Sequence, residues 1–124
     1  MQFIQTDQAP AAIGPYSQGS QVGNLFFFSG QIALKNDGTF IDGGVEEQAL
    51  QVLRNIQGLL ESQGLTKKNV AKCTMFLDDI NDFQKANEIY ARFFGDHQPA
   101  RSTFEVSKLP LNAKIEIEVI AAKE

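Results

Sequence analysis

A chain of 124 residues has room for one ordinary globular domain and little more. Hydrophobic residues make up 43% and charged residues 21%, the balance of a folded chain and not of a disordered one, and no apolar run approaches the ~18 residues of a membrane helix. A net charge of −4 and a pI near 4.9 argue against general affinity for nucleic acid or anionic lipid. The opening MQFIQTDQAP has neither a basic segment nor an apolar core, so no secretory signal is expected. One cysteine, Cys73, excludes an internal disulfide and fits a reducing compartment. With Cys73 and a single histidine, His97, one chain cannot supply four soft zinc ligands, and no motif sets a nucleophile beside His97. No phosphate-binding glycine loop is present. The expectation is a single domain over residues 1–124, cytoplasmic, whose chemistry rests on carboxylates, arginine, tyrosine and backbone amides.

In chain order, Gln18–Val22 and Leu25–Gly30 flank a Gly23-Asn24 pair that reads as a hairpin turn. The unbroken Leu25-Phe26-Phe27-Phe28 predicts a strand buried on both faces. Asn36-Asp37-Gly38 marks a turn, and Gly43-Gly44 closes the loop that follows. From Val45 the spacing of Ala49, Val52, Leu53, Ile56, Leu59 and Leu60 predicts an amphipathic helix stopped at Gly64. Asn69–Leu77 reads as a strand with Ala71, Cys73, Met75 and Leu77 on one face. A second helix follows, with Asn81 and Gln84 at capping-box spacing. Its buried stripe is Phe83, Ala86, Tyr90, Phe93 and Phe94, and Gly95 is its end. Strands at Arg101–Ser107 and Lys114–Ala121 complete an α+β layer, with two helices packed on one face of a mixed sheet.

Both final strands alternate charge with apolar residues: Arg101, Thr103 and Glu105 in one, Lys114, Glu116 and Glu118 in the other. If the two strands are neighbours, one face carries a row of charges of both signs. Such a face is a solvated surface with weak ion pairs, or a face covered by another subunit that encloses an arginine and a glutamate. In a crevice the arginine would hold a carboxylate through two parallel hydrogen bonds, and the glutamate would position or deprotonate a water.

Several segments then fall together. Ala9-Pro10-Ala11-Ala12-Ile13-Gly14-Pro15-Tyr16-Ser17-Gln18-Gly19, Phe28-Ser29-Gly30-Gln31-Ile32, Asn81-Asp82-Phe83 with Asn87, Pro99–Val106, and Leu109-Pro110 before Ile115–Glu118 resemble the Rid family of reactive intermediate (imine) deaminases. The resemblance runs along nearly the whole chain in the family's order. It implies a chorismate-mutase-like subunit assembled as a homotrimer with clefts between subunits. It also implies cofactor-independent hydrolysis of 2-iminobutanoate, 2-iminopropanoate and their enamines to 2-oxo acids and ammonia. By position, Arg101 is implied as the clamp for the substrate carboxylate and Glu116 as the holder of the hydrolytic water. Tyr16, Ser29, Gly30, Asn87 and Thr103 are implied to line the same cleft. Many relatives carry cysteine where Thr103 stands, which leaves no thiol role there. Two other readings stand beside this one: a non-catalytic protein that binds or senses small carboxylates, and RNA cleavage or translation inhibition. The acidic pI and lone His97 count against the second of these.

Overall fold

The structure is a computed structural model that describes residues 1–124. Its elements are β1 (Gln2–Ile4), β2 (Gly19–Val22), β3 (Leu25–Gln31), α1 (Val45–Ser62), β4 (Val70–Leu77), α2 (Phe83–Phe94), β5 (Ala100–Glu105) and β6 (Ile115–Ala122). They form one six-stranded sheet in the order β1-β2-β3-β6-β4-β5. Every pairing is antiparallel except β4 with β5, whose parallel register needs a crossover, and α2 supplies it. α1 packs across β6 and β3 and beside α2, so the helices cover one face and leave the other bare.

The expected α1 stripe is buried as read: Val52, Ile56, Leu59 and Leu60 are each at most 1% exposed, a burial that contributes about 2 kcal/mol per side chain. They meet Met75, Leu77, Ile115, Ile117 and Val119 from the middle strands in one core. Gly64 and Gly95, both at positive φ, follow the helix ends as expected.

Four expectations need correction, and one strand goes beyond them. β1 has no counterpart in the sequence reading, because three residues are too few to show a period. β3 is not buried on both faces: Phe26 and Phe28 are 2% and 5% exposed, whereas Leu25 and Phe27 on the bare face are 39% exposed. Ala71 does not join the buried row of β4, because the ladder to β6 shifts between Val70 and Lys72 and puts Val70 there instead. α2 begins without the Asn81–Gln84 capping box. Instead Asp79 accepts a hydrogen bond from the Asn81 amide at 2.9 Å, opening a 3₁₀ turn over Ile80–Asp82 that leads into the helix. Finally, β5 and β6 are not neighbours, since β4 lies between them. The row of mixed charges therefore does not exist.

Candidate active site

On the bare face, the end of β3 meets the start of β6. The β3–β6 ladder shifts between Phe28 and Gln31, a bulge that takes Ser29 and Gly30 out of regular pairing. The Ser29 hydroxyl donates to the Ser17 carbonyl at 2.6 Å, and the Ser29 amide to the Gln18 carbonyl at 2.9 Å. With its proton so engaged, the hydroxyl offers a ligand only lone pairs. Gly30 lies against Glu116 so closely that a Cβ would run into the carboxylate; glycine is what admits the acid beside the bulge. Burial and the neighbouring Glu118 raise the Glu116 pKa above the ordinary carboxylate value. Tyr16, 56% exposed, and Leu111 line a cleft of about 520 Å³ together with Ser29, Gly30 and Glu116. Leu111 reaches its place through a left-handed backbone, φ 57°.

A buried side chain absent from the expected site holds this cleft together. Gln18 is 4% exposed; its amide oxygen accepts from the Thr6 amide at 2.7 Å, and its nitrogen donates to the carbonyls of Thr6, Ala9 and Pro10. It thereby ties the 6–10 segment to the start of β2, beside Tyr16. From the helix layer, Asn55 donates to the Ile32 and Leu34 carbonyls, and Gln48 accepts from the Lys114 amide at 2.8 Å just before β6. Gln48 and Asn55 are polar residues seven apart within the apolar stripe of α1, a signal that sequence reading could have used.

Arg101 occupies a different place. On β5 it stands in register with Cys73, whose side chain faces the helices, and so it projects beneath α2. One guanidinium N–H donates to the Asn87 side-chain oxygen at 2.8 Å, and the guanidinium carbon lies 4.7 Å from the Tyr90 ring centroid and 5.4 Å from that of Phe83. Its hydrogen-bond partner is thus a neutral amide, which leaves the charge free for an anion. Burial raises the pKa of the Cys73 thiol beneath it, so Cys73 is a neutral core group. Arg101 and Asn87 line a second cleft, of about 360 Å³. Thr103, two residues on, shares the helix side of β5 with Arg101 and is half-buried.

The structure therefore brings the expected residues together in two groups and not in one. Tyr16, Ser29, Gly30 and Glu116 share the cleft on the bare face; Asn87, Arg101 and Thr103 lie on the helix side at the far edge. Glu116 pairs with Phe76 and Arg101 with Cys73, three positions apart on the intervening β4. Strand geometry separates their Cα atoms by roughly 14 Å, with side chains on opposite faces.

Residues 6–123 match the family described as endoribonuclease L-PSP, the YjgF/RidA family. The chain belongs to the Rid family. A RutC family protein of Pyrococcus horikoshii is 47% identical over 124 residues, which cover 99% of this chain and 98% of that protein. The mouse 2-iminobutanoate/2-iminopropanoate deaminase is 45% identical over 121 residues, 97% of this chain and 90% of that one. Among solved structures, Escherichia coli TdcF with bound serine superposes with a TM-score of 0.94 at 39% identity, covering 100% of both chains. The α+β, chorismate-mutase-like Rid architecture expected from the sequence is thus the one observed.

Proposed function

We propose that this Rid protein hydrolyses reactive 2-imino acids, 2-iminobutanoate and 2-iminopropanoate, to 2-oxo acids and ammonia without a bound cofactor. The observation that carries the reading is Arg101: a half-buried guanidinium, held by a neutral amide and two aromatic rings, with its charge uncommitted. The deaminase named among the relatives supplies the reaction class.

In this reading the catalytic unit is a homotrimer, each subunit a single domain over residues 1–124, and each site is shared by two subunits. Arg101, Thr103 and Asn87 of one subunit face Glu116, Ser29, Gly30 and Tyr16 of the next. Two observations support the sharing: the opposite projection of Arg101 and Glu116, and exposed aromatics on the helix-free face, where Phe27 and Phe104 are 39% and 52% exposed. Arg101 binds the substrate carboxylate through its fork and so presents the imine carbon in one orientation. Glu116, ionised, takes a proton from a water as the water oxygen bonds to that carbon and the C=N electron pair moves to nitrogen, and the acid so formed returns that proton to the nitrogen to give the neutral carbinolamine. Glu116 next takes the carbinolamine hydroxyl proton and passes it to nitrogen as the C=O bond forms and the C–N bond breaks, which releases ammonia and the 2-oxo acid. The Ser29 hydroxyl accepts from the imine N–H. The raised pKa of Glu116 brings it nearer to neutrality, where a general base works best. Such imines arise from amino-acid dehydration in the cytoplasm, where this reading places the enzyme.

The test is a coupled assay. A threonine dehydratase generates 2-iminobutanoate in the presence of semicarbazide. Wild type suppresses semicarbazone formation, Arg101→Ala lowers kcat/KM by ~100-fold or more, and Arg101→Lys, which keeps the charge without the fork, is also impaired. Folded wild type that binds 2-oxobutanoate but suppresses nothing would make the cleft a carboxylate-binding site. RNA cleavage is not assigned: His97 is engaged with the Val70 carbonyl at 2.7 Å, and the chain carries a net charge of −4.

A further inference from the structure

We infer that Asn87 is a positioning residue for Arg101 and not a contact for the substrate, working with the rings of Tyr90 and Phe83 as a fixed seat for the guanidinium. The inference deepens the proposed function, which assigns Arg101 to the substrate carboxylate, but the seat itself lies within one chain. Arginine has a long, flexible stem, and a fork free to rotate would have to be ordered anew with each substrate. Here each freedom meets a restraint. The Asn87 oxygen accepts one N–H at 2.8 Å and fixes rotation in the guanidinium plane. The Tyr90 ring at 4.7 Å and the Phe83 ring at 5.4 Å fix the tilt of that plane.

The three seat residues lie on α2 at positions 83, 87 and 90, spacings of four and three that place them on one helical face above β5. Two of them are firmly anchored. Tyr90 is 8% exposed and packs on Phe94 with ring centroids 4.8 Å apart, and Phe83 packs against the core. The guanidinium has only donors, so the Asn87 oxygen is the atom that faces it. A carboxylate at this position would neutralise Arg101 and compete with the substrate. An amide orients the cation and leaves its charge available.

The composition makes a direct readout simple. The chain has three arginines, and Arg54 and Arg92 are exposed on the outer faces of the helices. In the side-chain guanidinium NMR spectrum of ¹⁵N-labelled, ligand-free protein, Arg101 gives resolved, slowly rotating Nη signals in wild type. In Asn87→Ala they average like those of Arg54 and Arg92, and in Tyr90→Phe, which keeps the ring, they stay resolved. In the imine assay Asn87→Ala loses ~10-fold in kcat/KM, the worth of one hydrogen bond to a charged group. In the isosteric Asn87→Asp, 2-oxobutanoate binding is lost at neutral pH and returns as the new acid is protonated. Resolved Arg101 signals in a folded Asn87→Ala protein overturn the inference whether or not the chain is a deaminase. Averaging in Asn87→Ala with no imine hydrolysis by wild type keeps the seat and overturns the proposed function alone.

Discussion

Glu116 combines two requirements that oppose each other. Its carboxylate is held on a half-buried strand position beside Gly30, where burial first and Glu118 second raise its pKa. Between the ordinary carboxylate value and this raised one, the folded state binds a proton that the unfolded state has released. The stability so conferred is present at acid pH and lost as pH rises through the raised pKa. At neutral pH the ionised Glu116 is therefore a burden on the fold. We predict that Glu116→Gln melts at a higher temperature than wild type at pH 7, and that the difference shrinks toward about pH 4 in melts followed by circular dichroism, while imine hydrolysis is lost. A lower melting temperature at pH 7 would show that the carboxylate stabilises the fold. The alternation of the last strands draws attention to Arg101 and a glutamate, but Glu116 is separated from Glu105 and Glu118 only by the Rid resemblance. The environment of Glu116 is not legible in the sequence, since it depends on the bulge at Ser29-Gly30, more than eighty residues away in sequence.

The elements show where local reading succeeds and where it stops. Both helices, the hairpin of β2 and β3, and the strands β4 to β6 follow from period and turn residues that act over a few positions. The α2 start failed because Asp79, not Asn81, found the free amide, and a 3₁₀ turn took up the difference. Gly58 is a further feature that no local rule explains. It sits inside α1, where alanine would favour the helix by about 1 kcal/mol, yet a Cβ there would run into the Gln8 carbonyl. The segment that Gln18 ties down lies flat on α1 at that point. We predict that Gly58→Ala destabilises the protein by about 1–3 kcal/mol in urea denaturation, against the propensity scale, because the 6–10 segment must lift. A stabilised variant would mean that this segment moves aside without loss.

At the scale of the whole molecule, strand order decides how the chemistry is distributed. The sequence presents Arg101 and Glu116 on the last two strands, fifteen positions apart, and nothing local shows that β4 passes between them. That insertion is a non-local pairing of strands, and it sends the two side chains to opposite faces of the sheet. Within one chain the two groups point away from each other, an arrangement that the proposed sharing of each site between subunits accommodates. The same face that carries Glu116 also carries the exposed aromatics Phe3, Phe27 and Phe104, which isolated chains would leave in water.

The central claim is that each site draws Arg101 and Glu116 from different subunits, and subunit complementation tests it most directly. Arg101→Ala and Glu116→Gln proteins, each inactive alone, are unfolded together, refolded as a mixture, and checked for mixed oligomers by native mass spectrometry. Random assembly of equal amounts leaves about one quarter of the clefts with both native side chains, and imine hydrolysis returns to about that fraction of the wild-type rate. Mixed oligomers that remain inactive would contradict the account and place both groups in the site of a single chain.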